Sequence, residues 1–347
     1  MIRVGLVGLG FMGMTHYLAY QKIRGAKVVA VCEADAKRRA GDWRSIRGNF
    51  GPRGALMDLA GVAQYAELDA LLGDPRIDMV DICLPTALHP AMAIAALEGG
   101  KHVFCEKPIA LAAADARRMV AAARRAGKLL QIGHVLPFFP EYKFAYDAIR
   151  GGKYGKLLGG HFKRIISEPA WLPDYFNPER TGGPMLDLHV HDAHFIRLIA
   201  DMPQAVQTVG KMRGPVLERF STQFFFADPE LCLTASSGTI AQQGRPFTHG
   251  YEIYLEGATL LFDYATLAGG RDIHTPLTVF TEKAKVVQPK LAAGDPSQAF
   301  VAELTEATAA VRRRQASPLL DGQLACDAVT ICGKQTESAL RHRLVKI

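Results

Sequence analysis

Long apolar runs are missing from this 347-residue chain. No stretch approaches the roughly 18 consecutive apolar residues that a membrane-spanning helix needs. The opening MIRVGLVGLG enters a strand pattern at once. It has no basic head, apolar core and small-residue cleavage site of a secretory leader, so a cytoplasmic protein without a membrane partner is expected. Cysteine is scarce: Cys32, Cys83, Cys105, Cys232, Cys326 and Cys332 form no CxxC and no close pair, so they read as buried or free thiols. Internal repeats and low-complexity tracts are absent beyond alanine-rich helix faces. The net charge is +7, but the basic residues are scattered. The densest runs, Lys37-Arg38-Arg39 and Arg312-Arg313-Arg314, are not interleaved with aromatics. They read as solvated helix faces, and no nucleic-acid partner is expected. Apolar residues at 49% and charged residues at 22% exclude a disordered chain, and the length suits about two domains.

Short apolar strands alternate with helical patterns in the first third. Strands are predicted over 2–7, 27–33, 79–84, 102–105 and 129–133, with helices over 13–24, 34–47, 67–72, 89–99 and 111–126. The glycine-rich stretch 49–61 reads as loop. This β-α alternation implies a doubly wound parallel sheet of the Rossmann type. After residue 150 strand patterns follow one another at 157–166, 205–212, 221–226, 231–236, 251–256, 259–264 and 277–280, interrupted by one helix over 184–200. Several have a period near two, which predicts a mostly antiparallel open sheet in an α+β domain. The expected division is a dinucleotide-binding domain at 1–134 and a substrate-binding and oligomerisation domain at 135–347, with C-terminal helices packing back on the first. Phe224, Phe226, Leu233 and Tyr254 are expected on the open face of the second sheet or in its core.

The first strand runs into Gly8-Leu9-Gly10-Phe11-Met12-Gly13 and then a helix. Gly8 suits a tight turn, Gly10 a close backbone approach to pyrophosphate, and Gly13 close packing of helix on strand. The helix start offers unpaired N–H groups and a positive dipole end. Glu33 follows Gly13 by twenty residues, at the end of the second strand, where a carboxylate reads the adenosine ribose. Its charge favours NAD over NADP, although Lys37, Arg38 and Arg39 leave NADP open. Asp35 is a competing ribose ligand.

Residues 83–108 read CLPTALHPAMAIAALEGGKHVFCEKP. Ligands of open α/β sheets bind at the carboxyl ends of strands, which puts Lys107 at the crevice mouth, with Pro108 restricting its backbone. Farther on, residues 182–192 read GGPMLDLHVHD. On a regular helix Asp187, His191 and His194 share a face and His189 points away. In this order the glycine loop, the proline turn followed by histidine, GKHVxxEKP and GG-x-x-x-D-x-x-x-H resemble the glucose–fructose oxidoreductase / inositol dehydrogenase / rhizopine-catabolism (Gfo/Idh/MocA) family. GGKYGKLL at 151–158 resembles that family's entry into its substrate domain.

The resemblance implies an NAD(P)-dependent dehydrogenase acting on the CH–OH group of a sugar, cyclitol or sugar acid, with a carbohydrate-like substrate as partner and a homo-dimer or homo-tetramer. Lys107, Asp187 and His191 match the family's catalytic residues. An imidazole, whose ordinary pKa lies near neutrality, suits proton abstraction from a hydroxyl, and an ammonium suits stabilisation of the developing charge on oxygen. Cofactor contacts are expected at Gly8, Gly10, Phe11, Met12, Gly13, Glu33, Pro85, Thr86, His89, Glu106 and Lys107. Substrate contacts are expected at Lys107, His134, Trp171, Asp187 and His191. No metal is expected. Pro137 stands where many members of the family have an arginine, and an aromatic loop of Trp171, Tyr175 and Phe176 precedes the second motif. Three rivals remain: a zinc site at Asp187, His191 and His194 with His189, an NAD-dependent glycoside hydrolase working through transient oxidation, and a nucleotide-binding regulator without catalysis.

Overall fold

A computed structural model describes residues 1–48, 50–170, 172–291 and 296–347. In chain order its elements are β1 (Ile2–Val7), α1 (Phe11–Tyr20), β2 (Ala26–Cys32), α2 (Ala36–Arg39), β3 (Ala63–Tyr65), α3 (Leu68–Leu72), β4 (Met79–Ile82), α4 (His89–Glu98), β5 (His102–Glu106), α5 (Ala113–Ala126) and β6 (Leu130–Gly133). Then come α6 (Pro140–Arg150), β7 (Leu157–Ser167), a π-helical segment (Pro184–His189), α7 (Val190–Ala200), β8 (Ala205–Arg213) and β9 (Val216–Phe225). The chain continues through β10 (Cys232–Ile240), β11 (Phe247–Leu255), β12 (Ala258–Thr266), β13 (Asp272–Thr281), β14 (Val286–Val287), α8 (Pro296–Arg313), α9 (Gly322–Arg341) and β15 (Val345–Lys346). Two compact units result. One comprises 1–110, 114–139 and 293–326; the other comprises 111–113, 140–292 and 327–347.

The first unit is a six-stranded parallel sheet in the order β3-β2-β1-β4-β5-β6. Its central strands are buried on both faces, which is why VVAV and MVDI read as nearly continuous apolar runs. Val4, Leu6, Val28, Val31, Met79 and Phe104 pack with Leu304, Ala307 and Val311 of α8 in one core. The strand order reverses between β1 and β4, the switch point at which open α/β sheets bind ligands. The helix expected over 34–47 is only one turn, Ala36–Arg39. Asp35 caps it by accepting from the Arg38 N–H at 2.9 Å. The chain then turns inward, because Trp43 is wholly buried against Tyr17, their rings 5.0 Å apart. The expected loop beyond it is packed too, with Leu59 in the core and Phe50 stacked on Phe300.

The second unit is built on a nine-stranded sheet, β14-β13-β12-β11-β7-β10-β9-β8-β15. Every pairing is antiparallel except β7 with β10. Phe224 and Leu233 are fully buried and Phe226 nearly so, whereas Tyr254 is 42% exposed on the open face. Register carries that face across the sheet, because Phe280 lies opposite Thr259, Thr259 opposite Tyr254, Tyr254 opposite Gly159, Gly159 beside Cys232 and Cys232 near Phe225. Among the described residues no helix is long and apolar enough to cross a membrane.

Candidate active site

Each glycine of the loop after β1 has its own constraint. Gly8 has φ of +89°, and a Cβ there would lie 2.5 Å from the Cys83 carbonyl oxygen. A Cβ on Gly13 would lie 1.9 Å from the Gly8 carbonyl oxygen, so only glycine lets α1 start so close to the strand. Gly10 faces open space, with nothing within 4 Å of a Cβ. That space, above the first N–H groups of α1 at Phe11, Met12 and Gly13, fits a pyrophosphate. Glu33 reaches into the same loop: one carboxylate oxygen accepts from the Leu9 N–H at 2.7 Å and the other from the Asp35 N–H at 3.0 Å. Each oxygen keeps a lone pair for a ribose hydroxyl. Asp35 serves as the cap of α2. Arg39 donates to the Glu33 and Ala34 carbonyl oxygens at 2.6 and 3.1 Å, so this cation is already committed next to Glu33.

Pro85 and Thr86 begin a single 3₁₀ turn that leads into α4. The His89 ring is buried, its nitrogens 2.9 and 2.8 Å from the Pro108 and Leu84 carbonyl oxygens. It therefore ties the two strand-end loops together from inside the protein. Lys107 leaves the carboxyl end of β5, and its peptide bond to Pro108 is cis. The Lys107 main-chain N–H donates to Glu106 Oε2 at 3.1 Å. Glu106, expected among the cofactor contacts, is 7% exposed and turns its other oxygen inward, 3.1 Å from His16 Nε2. His134 is fully buried at the end of β6, and Pro137 is buried in the 3₁₀ turn that follows.

In the second unit Asp187 lies in the π-helical segment and His191 in the first turn of α7, both half-buried. A π turn is wider than an α turn, so the regular helix expected across 184–200 is not what sets their relative direction. Gly182 and Gly183, with φ of +72° and +65°, make the entry that only glycine adopts freely. His194 is fully buried. So is His189, whose Nε2 accepts from the Gln335 amide at 3.0 Å; burial lowers its pKa to about 4. Tyr175 is buried, and burial together with the Asp187 charge pushes its hydroxyl well above the usual tyrosine range. Phe176 lies under the Arg213 guanidinium at 3.9 Å. Trp171 lies outside the described residues. Asp192, next to His191, grips Arg164 of β7 in a buried two-point contact at 2.8 and 3.0 Å.

Sequence reasoning missed two buried networks. One is Arg164–Asp192. The other joins His16, Tyr20, Asp81, Cys83 and Glu106 beneath the glycine loop. Its visible signal was Asp81, a carboxylate in the middle of an apolar parallel strand. His16, Asp81 and Cys83 also form the one donor group at metal-ligand spacing found among the described residues.

Residues 2–134 match the model of an oxidoreductase family with an NAD-binding Rossmann fold, and residues 142–261 match the Gfo/Idh/MocA C-terminal domain. The 1,5-anhydro-D-fructose reductase of Ensifer adhaerens is 31% identical over 202 residues, 57% of this chain and 56% of that protein. This alignment thus spans little more than half of that relative. Inositol 2-dehydrogenase 1 of Saccharopolyspora erythraea is 30% identical over 260 residues, 74% of this chain and 71% of its own length. A levoglucosan dehydrogenase solved with NADH and levoglucosan shares the fold, with a TM-score of 0.80 and 22% identity over 100% of this chain and 99% of that one. With an NAD-binding Rossmann unit, a second unit on a mostly antiparallel sheet and both halves matched in order, the chain belongs to the Gfo/Idh/MocA family of oxidoreductases.

Proposed function

We propose that this chain interconverts a secondary alcohol and a ketone on a sugar, cyclitol or sugar acid with NAD, as a cytoplasmic homo-dimer or homo-tetramer. One observation carries the cofactor half of this reading. The open space over Gly10 and the Glu33 carboxylate lie at one edge of the switch point, and Lys107 leaves β5 in the same sheet. Glu33 supports NAD because a 2′-phosphate would meet its negative charge. The cofactor, when bound, accepts or returns the hydride.

The chain's own residues handle the proton and the oxygen. A ring nitrogen of His191 takes the hydroxyl proton during oxidation. Lys107 Nζ donates a hydrogen bond to the same oxygen and stabilises the charge that develops there. Asp187 orients His191 or a neighbouring hydroxyl. Lys107 and His191 belong to different units, so their joint action on one hydroxyl rests on the motif match. His134 and Trp171 are proposed substrate contacts, and the +7 net charge favours an anionic sugar. The open sheet face supports self-association: Phe280, Tyr254 and Phe225 are 39%, 42% and 36% exposed along one cross-strand row.

The test is substitution of the two proton-handling groups. Lys107→Met and His191→Asn should each lower kcat by roughly 10²–10⁴-fold, the span of a general acid–base group, and leave NADH affinity nearly unchanged. Wild-type kcat in both variants would remove these roles.

A further inference from the structure

The polar cluster beneath the glycine loop contains more charge than packing requires. His16 of α1 is completely buried. Its Nδ1 lies 3.0 Å from Asp81 Oδ2 on β4, and its Nε2 lies 3.1 Å from Glu106 Oε1 at the end of β5. Asp81 is fully buried as well and accepts from the Tyr20 hydroxyl at 2.9 Å. Cys83 Sγ sits 3.2 Å from His16 Nδ1, and burial pushes that thiol up, so it remains uncharged. Phe104, edge-on, and Phe300, tilted, flank the ring with centroids 5.7 and 6.2 Å away. Glu303 of α8 is a third buried carboxyl, and neither of its oxygens has a hydrogen-bond partner. Burial and the Glu106 charge raise it well above the usual carboxyl range.

One ring nitrogen hydrogen-bonds the Asp81 carboxylate and the other lies 3.1 Å from Glu106 Oε1 without hydrogen-bond geometry, so carboxylate oxygens face the ring on both sides. Burial opposes a positive charge on the ring, but the Asp81 carboxylate lifts His16 well above the ordinary imidazole range. Burying charge is costly, and apolar residues of similar volume would pack as stably. What an apolar core could not do is hold a carboxylate in one direction. Glu106 has a neighbour at both oxygens: the His16 ring lies 3.1 Å from one as an ion pair, and the Lys107 main-chain N–H donates to the other.

We propose that His16 is a positioning residue for Lys107: by fixing the Glu106 carboxylate from β4 and α1, it fixes the backbone from which the Lys107 side chain departs. The chain of contacts runs from Asp81 through His16 and Glu106 to the Lys107 amide, across adjacent strands of one sheet. This rests on the reading that Lys107 touches the reacting oxygen. A misplacement of about 1 Å at such a group can cost roughly a hundredfold in rate.

The experiment uses the full chain and two variants, His16→Gln and Glu106→Gln. Exchange of the Lys107 amide hydrogen is followed by NMR, together with the ¹⁵N shifts of the His16 ring. In the wild type both ring nitrogens should carry hydrogen well above the pH at which a free histidine titrates. In Glu106→Gln the ring should titrate lower. In His16→Gln the Lys107 amide should exchange roughly tenfold faster, as expected for weakening of one charge-assisted hydrogen bond. With the faster of myo-inositol and levoglucosan, kcat of His16→Gln should fall about ten- to a hundredfold, with KM for NAD within about twofold. The double variant should be no slower than the slower single. If His16→Gln does not fold, the ring shifts and Lys107 exchange in Glu106→Gln decide. Unchanged Lys107 exchange in the folded variants overturns the proposal. So does one equivalent of zinc in the purified protein that is lost with His16. If instead Lys107→Met keeps wild-type turnover while the exchange result holds, the role given to Lys107 fails and the clamp on its backbone stands.

Discussion

Asparagine at position 192 should destabilise the second unit by about 3–5 kcal/mol, the cost of stranding a buried charge. Arg164 is 4% exposed and Asp192 1%, and the guanidinium makes its two contacts with that carboxylate at 2.8 and 3.0 Å. Asparagine keeps the shape and one acceptor oxygen but removes the charge. The Arg164 side chain then stays between β7 and α7 with no anion at the two contacts it made. Thermal unfolding should move down by about 10 °C, at a few degrees per kcal/mol for a unit of this size. The same loss should appear in urea unfolding followed by circular dichroism, and in faster hydrogen exchange of β7 peptides. The paired replacement Arg164→Met with Asp192→Leu should recover most of the loss, because no charge is left buried. A single-variant loss below about 1 kcal/mol, or a double variant no better than the single, would refute the assignment of a desolvated pair.

Glu33→Ala should weaken NAD more than NADP in a fluorescence titration; unchanged NAD affinity would move the ribose contact elsewhere. Gly13→Ala places a methyl 1.9 Å from the Gly8 carbonyl and should abolish dinucleotide binding while leaving the second unit folded, as read by exchange of its sheet amides. His189 is neutral when folded, with a pKa near 4, and takes up a proton on unfolding near its ordinary 6.5. Its contribution is therefore present above the unfolded value and is lost as the pH falls towards the folded one, roughly 3 kcal/mol in all. The pH dependence of urea unfolding should flatten in His189→Gln. Lysine at both Tyr254 and Phe280 should lower the mass seen by light scattering; a wild-type monomer at micromolar concentration would defeat the proposed oligomer.

Local patterns carried most of the first unit. Glycine positions, strand ends and the spacing from Gly13 to Glu33 are set within one βαβ turn, so a short window of sequence contains their physics. The helix expected over 34–47 shows the limit of this reading. Its charged face suited a helix, but burial of Trp43 and Ile46 turned the chain inward after Arg39. The segment 184–200 read as one regular helix because composition does not separate a π turn from an α turn. In the second unit the alternation was legible but its inward side was ambiguous: Phe224 and Leu233 went to the core, and Tyr254 to the open face. His89 kept its expected place after the proline turn, yet its ring faces backbone carbonyls. The buried networks were least legible. His16 meets Asp81 and Glu106 only once α1, β4 and β5 are assembled, and no spacing along the chain announces that meeting.

Net hydride exchange between NAD and a polyol is read directly by nicotinamide absorbance. The purified protein should be offered sugars, cyclitols and sugar acids with NAD and NADP in separate assays. Reduced nicotinamide should accumulate with at least one polyol, faster with NAD than NADP, and Lys107→Met should abolish it. No accumulation with any alcohol, combined with tightly retained cofactor and release of an aglycone from glycosides, would assign the chain to transient oxidation instead.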